Sequence, residues 1–142
     1  MPSVLYYIQH LWGLGHGRRA AAIARWMIDF GWDVTYVSGG FSDTSHDLRG
    51  VKHVSLPPLK AENPEEDGLI GESGAAPNTN FWDQRRHLLM EAFESAAPDL
   101  LLIETFPFGR WPFRVELEPL LDVARNKCAI LCSIRDILEP KA

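Results

Sequence analysis

Two hydrophobic periods alternate along this chain, so that five short runs of strand character are separated by helical or irregular stretches. Val4 to Gln9 is a short apolar, aromatic-rich run, and Asp33 to Ser38 (DVTYVS) and the weaker Val51 to Leu56 follow it. Asp99 to Glu104 (DLLLIE) is apolar almost throughout, and Lys127 to Ser133 (KCAILCS) closes the series. Unbroken apolar strands are expected where a parallel sheet is covered on both faces. Helical spacing places Ile23, Met27 and Phe30 on one face of Arg18 to Phe30. It does the same for Trp82, Leu89, Phe93 and Ala96 after Thr79, and for Leu117, Leu120, Leu121 and Ala124 within Val115 to Arg125. Gly31 is placed to end the first helix and Pro98 to stop the second. Pro119 fits only a first turn, so the third helix is expected to become regular late. Lys60 to Asn78 shows no periodicity, and a loop that long is expected to be functional or mobile.

Strands alternating with helices predict an α/β fold, a Rossmann-like parallel sheet flanked by helices. No helical pattern follows the fifth strand to cover it, so the sheet is expected to be truncated. The 142 residues suit one domain, 1–142. A formal net charge of -5 with no basic run argues against a nucleic-acid binder and does not favour anionic membranes. The start, MPSVLYYIQHLW, lacks a basic n-region and a cleavage site, and no apolar run is long enough to span a bilayer. Cys128 and Cys132, roughly 13 Å apart at ~3.3 Å per residue in a strand, are too far apart to bridge. They read as buried reduced thiols of a cytoplasmic protein.

Chemistry is expected where strands end. The carboxyl edge of a parallel sheet, at the point where strand order reverses, is the usual ligand crevice. Three unusual polar sequences fall there: HLWGLGHGRR after the first strand, ETFPFGR at the fourth and SIRD at the fifth. Together they bring His10, His16, Glu104, Asp136, Arg18, Arg19, Arg110 and Arg135 to one edge. An imidazole beside a carboxylate is the minimum for a general base, and arginines suit phosphate or carboxylate groups. Arg110 and Arg135 are alternatively ion-pair partners of Glu104 or Asp136. His10 is alternatively bonded to nearby backbone. Trp12, Phe106, Phe108 and Trp111 either line an acceptor pocket or pack over the core. Glu104, at the end of a buried strand, needs a partner. A dinucleotide fingerprint is not met, because Gly13, Gly15 and Gly17 are followed by Arg18 and the second strand ends without an acidic residue. There is no P-loop.

The segment YYIQHLWGLGHGRRAAAIARWMIDFGWDVTYVSGG, with ETFPFGR and CSIRDIL, resembles the amino-terminal domain of GT-B glycosyltransferases. The likeness is greatest to the family 28-like group that includes the bacterial peptidoglycan N-acetylglucosaminyltransferase, and to a branch of predicted glycosyltransferases within it. The resemblance implies transfer of a sugar from a nucleotide donor, commonly UDP-N-acetylglucosamine, to an acceptor hydroxyl, with no cofactor and no essential metal. It implies that this domain binds acceptor and that a carboxyl-terminal domain binds most of the donor. His16 matches the family's base, and Gly13 and Gly15, continued by Gly17 and Arg18, match the loop facing the diphosphate. Glu104 lies where related enzymes carry an acidic partner. His10, Trp12, Phe108, Arg110, Arg135 and Asp136 are then acceptor-side candidates. The loop departs from the family's Gly-Gly-His followed by a proline-containing turn, which leaves the acceptor open. The 142 residues hold no donor domain. The implied partners are therefore a further domain or a separate donor-binding subunit, and a glycan or lipid-linked acceptor. Apolar surface left bare by missing elements would favour a homodimer. The alternative reading is a non-catalytic glycan- or anion-binding module.

Overall fold

The computed structural model describes residues 1–11, 15–41, 48–62 and 68–134, with backbone alone for 15–17. In chain order its elements are β1 (Ser3–Ile8), α1 (Gly15–Asp29), β2 (Asp33–Ser38), β3 (Lys52–Ser55), β4 (Lys60–Ala61) and β5 (Leu69–Ile70). There follow α2 (Thr79–Ala96), β6 (Leu100–Glu104), α3 (Arg114–Ala124) and β7 (Ala129–Ser133). Five strands form one parallel sheet in the order β3-β2-β1-β6-β7, while β4 and β5 pair separately as an antiparallel ribbon. The chain therefore fills the sheet outward from β1 to β3, then crosses back to place β6 on the other side of β1. Strand order reverses between β1 and β6.

Alternation along β1 builds both layers. Leu5 and Tyr7 face α2 and α3, in a core with Leu89, Phe93, Leu101, Ile103, Phe113, Leu117 and Leu120. Val4, Tyr6 and Ile8 face α1, in a core with Ala20, Ala24, Val34 and Tyr36. Helix α2 starts at Asn78, whose Oδ1 accepts the Phe81 amide at 2.8 Å, and ends with Ala97 in the left-handed region.

Four expectations need correction. Helix α1 begins at Gly15, not Arg18, so Gly15, His16 and Gly17 form its first turn and not a loop before it. Pro119 lies inside α3, which is regular from Arg114 and is preceded by a 3-10 turn over Trp111–Phe113. The proline leaves the Val115 carbonyl without its helical donor, and Val115 lies on the exposed side of the helix, where water can replace it. The stretch from Lys60 contains the β4–β5 ribbon, anchored by Leu59 and Ala61, both fully buried in the core. Cys128 and Cys132 are free thiols as expected, but half-buried, because β7 is an edge strand. Burial pushes both thiols above their ordinary pKa. Leu131, on the α1 side of β7, is 56% exposed. No helix among the described residues is long and apolar enough to cross a membrane.

Candidate functional site

Tyr6 and Tyr7 are adjacent in a strand, so their hydroxyls leave β1 on opposite faces of the sheet, and each ends in a buried polar network. On the α1 face the Tyr6 hydroxyl donates to Glu104 Oε2 at 2.7 Å. The other carboxylate oxygen, Oε1, takes Arg19 Nη1 in a salt bridge, with Glu104 buried. Arg19 Nη2 continues to Ser133 Oγ at 2.8 Å and to the Ile134 carbonyl at 2.9 Å. One guanidinium thus ties α1 to the carboxyl ends of β6 and β7. Arg19 lies one turn beyond His16, so this clamp fixes the height of the helix start above the strand-order reversal.

On the opposite face the Tyr7 hydroxyl donates to Glu116 Oε2 at 3.1 Å. Glu116 accepts Arg85 Nε at 2.7 Å, and neither side chain is exposed. The remaining Arg85 donors go to Gly39 O (3.0 Å), Pro57 O (2.7 Å) and Gln9 Oε1 (2.7 Å). Gln9 Nε2 in turn donates to the His10 and Leu59 carbonyls, each at 3.0 Å. The guanidinium also lies over the Phe113 ring at 5.3 Å and the Trp82 ring at 5.8 Å. Burial alone would lower the arginine's pKa, but Glu116 overrides it and Arg85 stands above its ordinary value as a cation. Glycine is required beside this network: a Cβ on Gly39 would overlap Gln9 and Arg85, and one on Gly40 would overlap the His10 ring.

The loop after β6 completes the edge. Thr105 and Arg110 both take the left-handed region, at φ 75° and 60°, and the buried Thr105 hydroxyl has no hydrogen-bond partner among the described residues. For a β-branched residue this backbone is costly and marks a site held by its surroundings. Arg110 is buried and its Nε donates to the Gln9 carbonyl at 2.6 Å. Phe106 is buried and stacks on Trp111 at 6.1 Å. Phe108 and Trp111 are 61% and 55% exposed at the rim.

Among the sequence candidates, the fold brings His10, the start of α1 with His16, Glu104, Phe108 and Arg110 to one edge. Trp12, Gly13, Arg135 and Asp136 lie outside the described residues. Arg18 is an exposed residue of the first turns of α1. The ion-pair alternative for Glu104 holds with a different partner, Arg19 in place of Arg110. Gln9, Tyr6, Tyr7, Arg85 and Glu116 were not among the candidates, although a polar residue inside an apolar helical stripe signals the last two. Among the described residues no group of three or more His, Cys, Asp or Glu side chains could hold a metal ion. A cavity of about 270 Å³ between β3 and α2, lined by Val54, Leu88, Ala92 and Ala96, lies on the far flank of the sheet from β6.

The chain's only three tyrosines all resist ionisation. Burial raises Tyr6 and Tyr7 well above 10, helped by Glu104 and Glu116 respectively, and it pushes Tyr36 up to about 12. Above pH 10 the unfolded chain loses phenolic protons that the folded chain keeps, so stability is complete below pH 10 and falls as pH rises beyond it. The slope is about 1.4 kcal/mol per pH unit for each retained proton. Alkaline titration followed at the phenolate absorbance should therefore show no tyrosinate until the circular dichroism signal of unfolding appears. Tyrosinate forming in a folded chain near pH 10 would contradict the buried geometry.

No protein-family model and no curated protein sequence matches this chain. Solved structures do, and they are GT-B glycosyltransferases. Phytolacca americana UGT2 matches with a TM-score of 0.53 at 15% identity over 94% of this chain and 29% of its own. SsfS6, a glycosyltransferase of Streptomyces sp. SF2575, matches with a TM-score of 0.57 at 14% identity over 99% and 41%. CalG4, the calicheamicin glycosyltransferase, matches with 0.53 at 15% over 99% and 34%. UGT2 is also known in complex with UDP-2-fluoro-glucose and pterostilbene. At such identity the likeness is one of fold, and the chain spans about a third of each of these enzymes.

Proposed function

We propose that this chain is the acceptor-binding half of a glycosyltransferase that moves a sugar, N-acetylglucosamine in our reading, from a UDP-sugar to an acceptor hydroxyl. One observation carries the reading: nearly the whole chain shares the fold of GT-B glycosyltransferases, with its polar groups gathered where strand order reverses. In this reading His16 takes the proton of the acceptor hydroxyl as that oxygen bonds to the anomeric carbon. The bond from that carbon to the donor's diphosphate breaks, and UDP leaves with the electron pair. The amino end of α1, at Gly15 to Gly17 with Arg18 beside it, faces the leaving diphosphate and supplies partial positive charge. Glu104, held by Tyr6 and Arg19, sets the position of that helix end. His10, Phe108 and Arg110 belong to the acceptor wall, together with Trp12, Arg135 and Asp136.

The donor half comes from further residues of the same polypeptide or from a separate subunit. The test is to capture the native protein from its source cells with an antibody to this domain, size it, and assay the captured material for transfer from radiolabelled UDP-N-acetylglucosamine and UDP-glucose. Transfer to a glycan or lipid-linked acceptor supports the proposal. Captured material that binds glycan yet transfers from neither donor, with its partner retained, would replace it by a binding module.

A further inference from the structure

We infer that Arg85, a residue with no path to any ligand, is the positioning residue of the acceptor wall. This rests on the reading of the carboxyl edge as that wall, and it assigns the residue that holds the wall in place. Arg85 sits on α2 with 0% exposure, and its bonds reach three strand ends: Gln9 after β1, Gly39 after β2 and Pro57 after β3. A salt bridge with Glu116 would have needed only one face of the guanidinium. The other donors spread to two backbone carbonyls and the Gln9 side chain, all at the edge. Gln9 relays the constraint, since its side-chain amide nitrogen donates to the His10 and Leu59 carbonyls while its backbone carbonyl accepts Arg110 Nε. His10 and Arg110, from loops a hundred residues apart, are thus fixed relative to each other through one glutamine oriented by one arginine. The Gly39 carbonyl that accepts Arg85 also accepts the Leu59 amide at 3.0 Å, and the Ala61 amide bonds Leu11 O at 3.1 Å. Those two amides report whether the wall is seated.

A structural ion pair and a positioning residue differ in what their loss loosens. Arg85→Lys keeps the charge beside Glu116 but loses the fork that reaches Gln9, Gly39 and Pro57. Native-state hydrogen exchange on the intact protein should then show the Leu59 and Ala61 amides exchanging at least tenfold faster, with Leu101 and Ile103 in β6 unchanged. Gln9→Leu, which leaves the Arg85–Glu116 pair intact, should give the same pattern and serves if the lysine variant does not fold. Equal acceleration at all four amides, no change at Leu59 and Ala61, or failure of both variants to fold would make the network a determinant of the fold alone and overturn the inference. In transferase assays of the native enzyme, either variant should raise the acceptor KM tenfold or more with the donor KM unchanged. A wall that loosens by exchange with neither KM altered would leave the positioning intact and count against the glycosyltransferase reading.

Discussion

Replacing Arg85 by alanine is expected to destabilise the chain by about 3–5 kcal/mol, because it leaves the Glu116 carboxylate buried with Tyr7 as its one remaining hydrogen-bond donor among the described residues. Three further acceptors, Gln9 Oε1, Gly39 O and Pro57 O, lose the Arg85 bond in the same step, and of these Gly39 O keeps the Leu59 amide. Domains of this size have about 5–15 kcal/mol of total stability, so the variant should unfold at much lower urea, or fail to accumulate. Removing the pair together should cost less than removing either member alone. Arg85→Met with Glu116→Leu replaces two buried charges by apolar volume against Phe113 and Trp82, and such exchanges are often neutral or favourable. Urea titrations of Arg85→Ala, Glu116→Leu and the double variant settle the point. A loss below about 1 kcal/mol in Arg85→Ala would mean that water reaches Glu116, contrary to its 1% exposure.

The layers were legible because periodicity records them. Short runs of strand character gave β1, β2 and β6 within a residue or so of their ends, and the stripes of α2 and α3 gave the opposite layer. The β4–β5 ribbon left no such record, since two-residue strands are shorter than any period. The start of α1 was hidden by its glycines, which are poor helix formers on their own and are carried into the first turn by the packed helix that follows. At the site, Glu104 was legible as a buried carboxylate in need of a partner. That the partner is Arg19, 85 residues away, was not, because spacing along a chain records pairs within an element and says nothing of pairs across a sheet. Arg85 and Glu116 were readable in principle. Arg85 falls three residues after Trp82 and four before Leu89, and Glu116 four before Leu120, so each interrupts an apolar stripe. The paired tyrosines of β1 are the matching signal, since two hydroxyls inside a central strand must each find an acceptor.

His16→Ala, in whatever assembly carries out transfer, is expected to lower turnover by roughly 10²–10⁴-fold, the usual worth of a positioned base. Unfolding would not account for such a loss: alanine is the better helix former, and the substitution lies in the first turn of α1. The loss should fall on kcat, with donor KM little changed, and the acid limb of the pH–rate profile should vanish with the imidazole. Glu104→Gln makes the contrast. Its carboxylate is engaged by Tyr6 and Arg19, so removing the charge should loosen the clamp between α1 and the ends of β6 and β7. The rate should fall through misplacement of the helix end, while the acid limb keeps its position. If Glu104→Gln instead moved that limb to lower pH, the carboxylate would be acting on the imidazole itself, as an orienting partner of the base. Unchanged turnover in His16→Ala would remove His16 from the chemistry. The carboxyl edge would then need another base, and His10, packed against Gly40, is the described imidazole nearest in the chain.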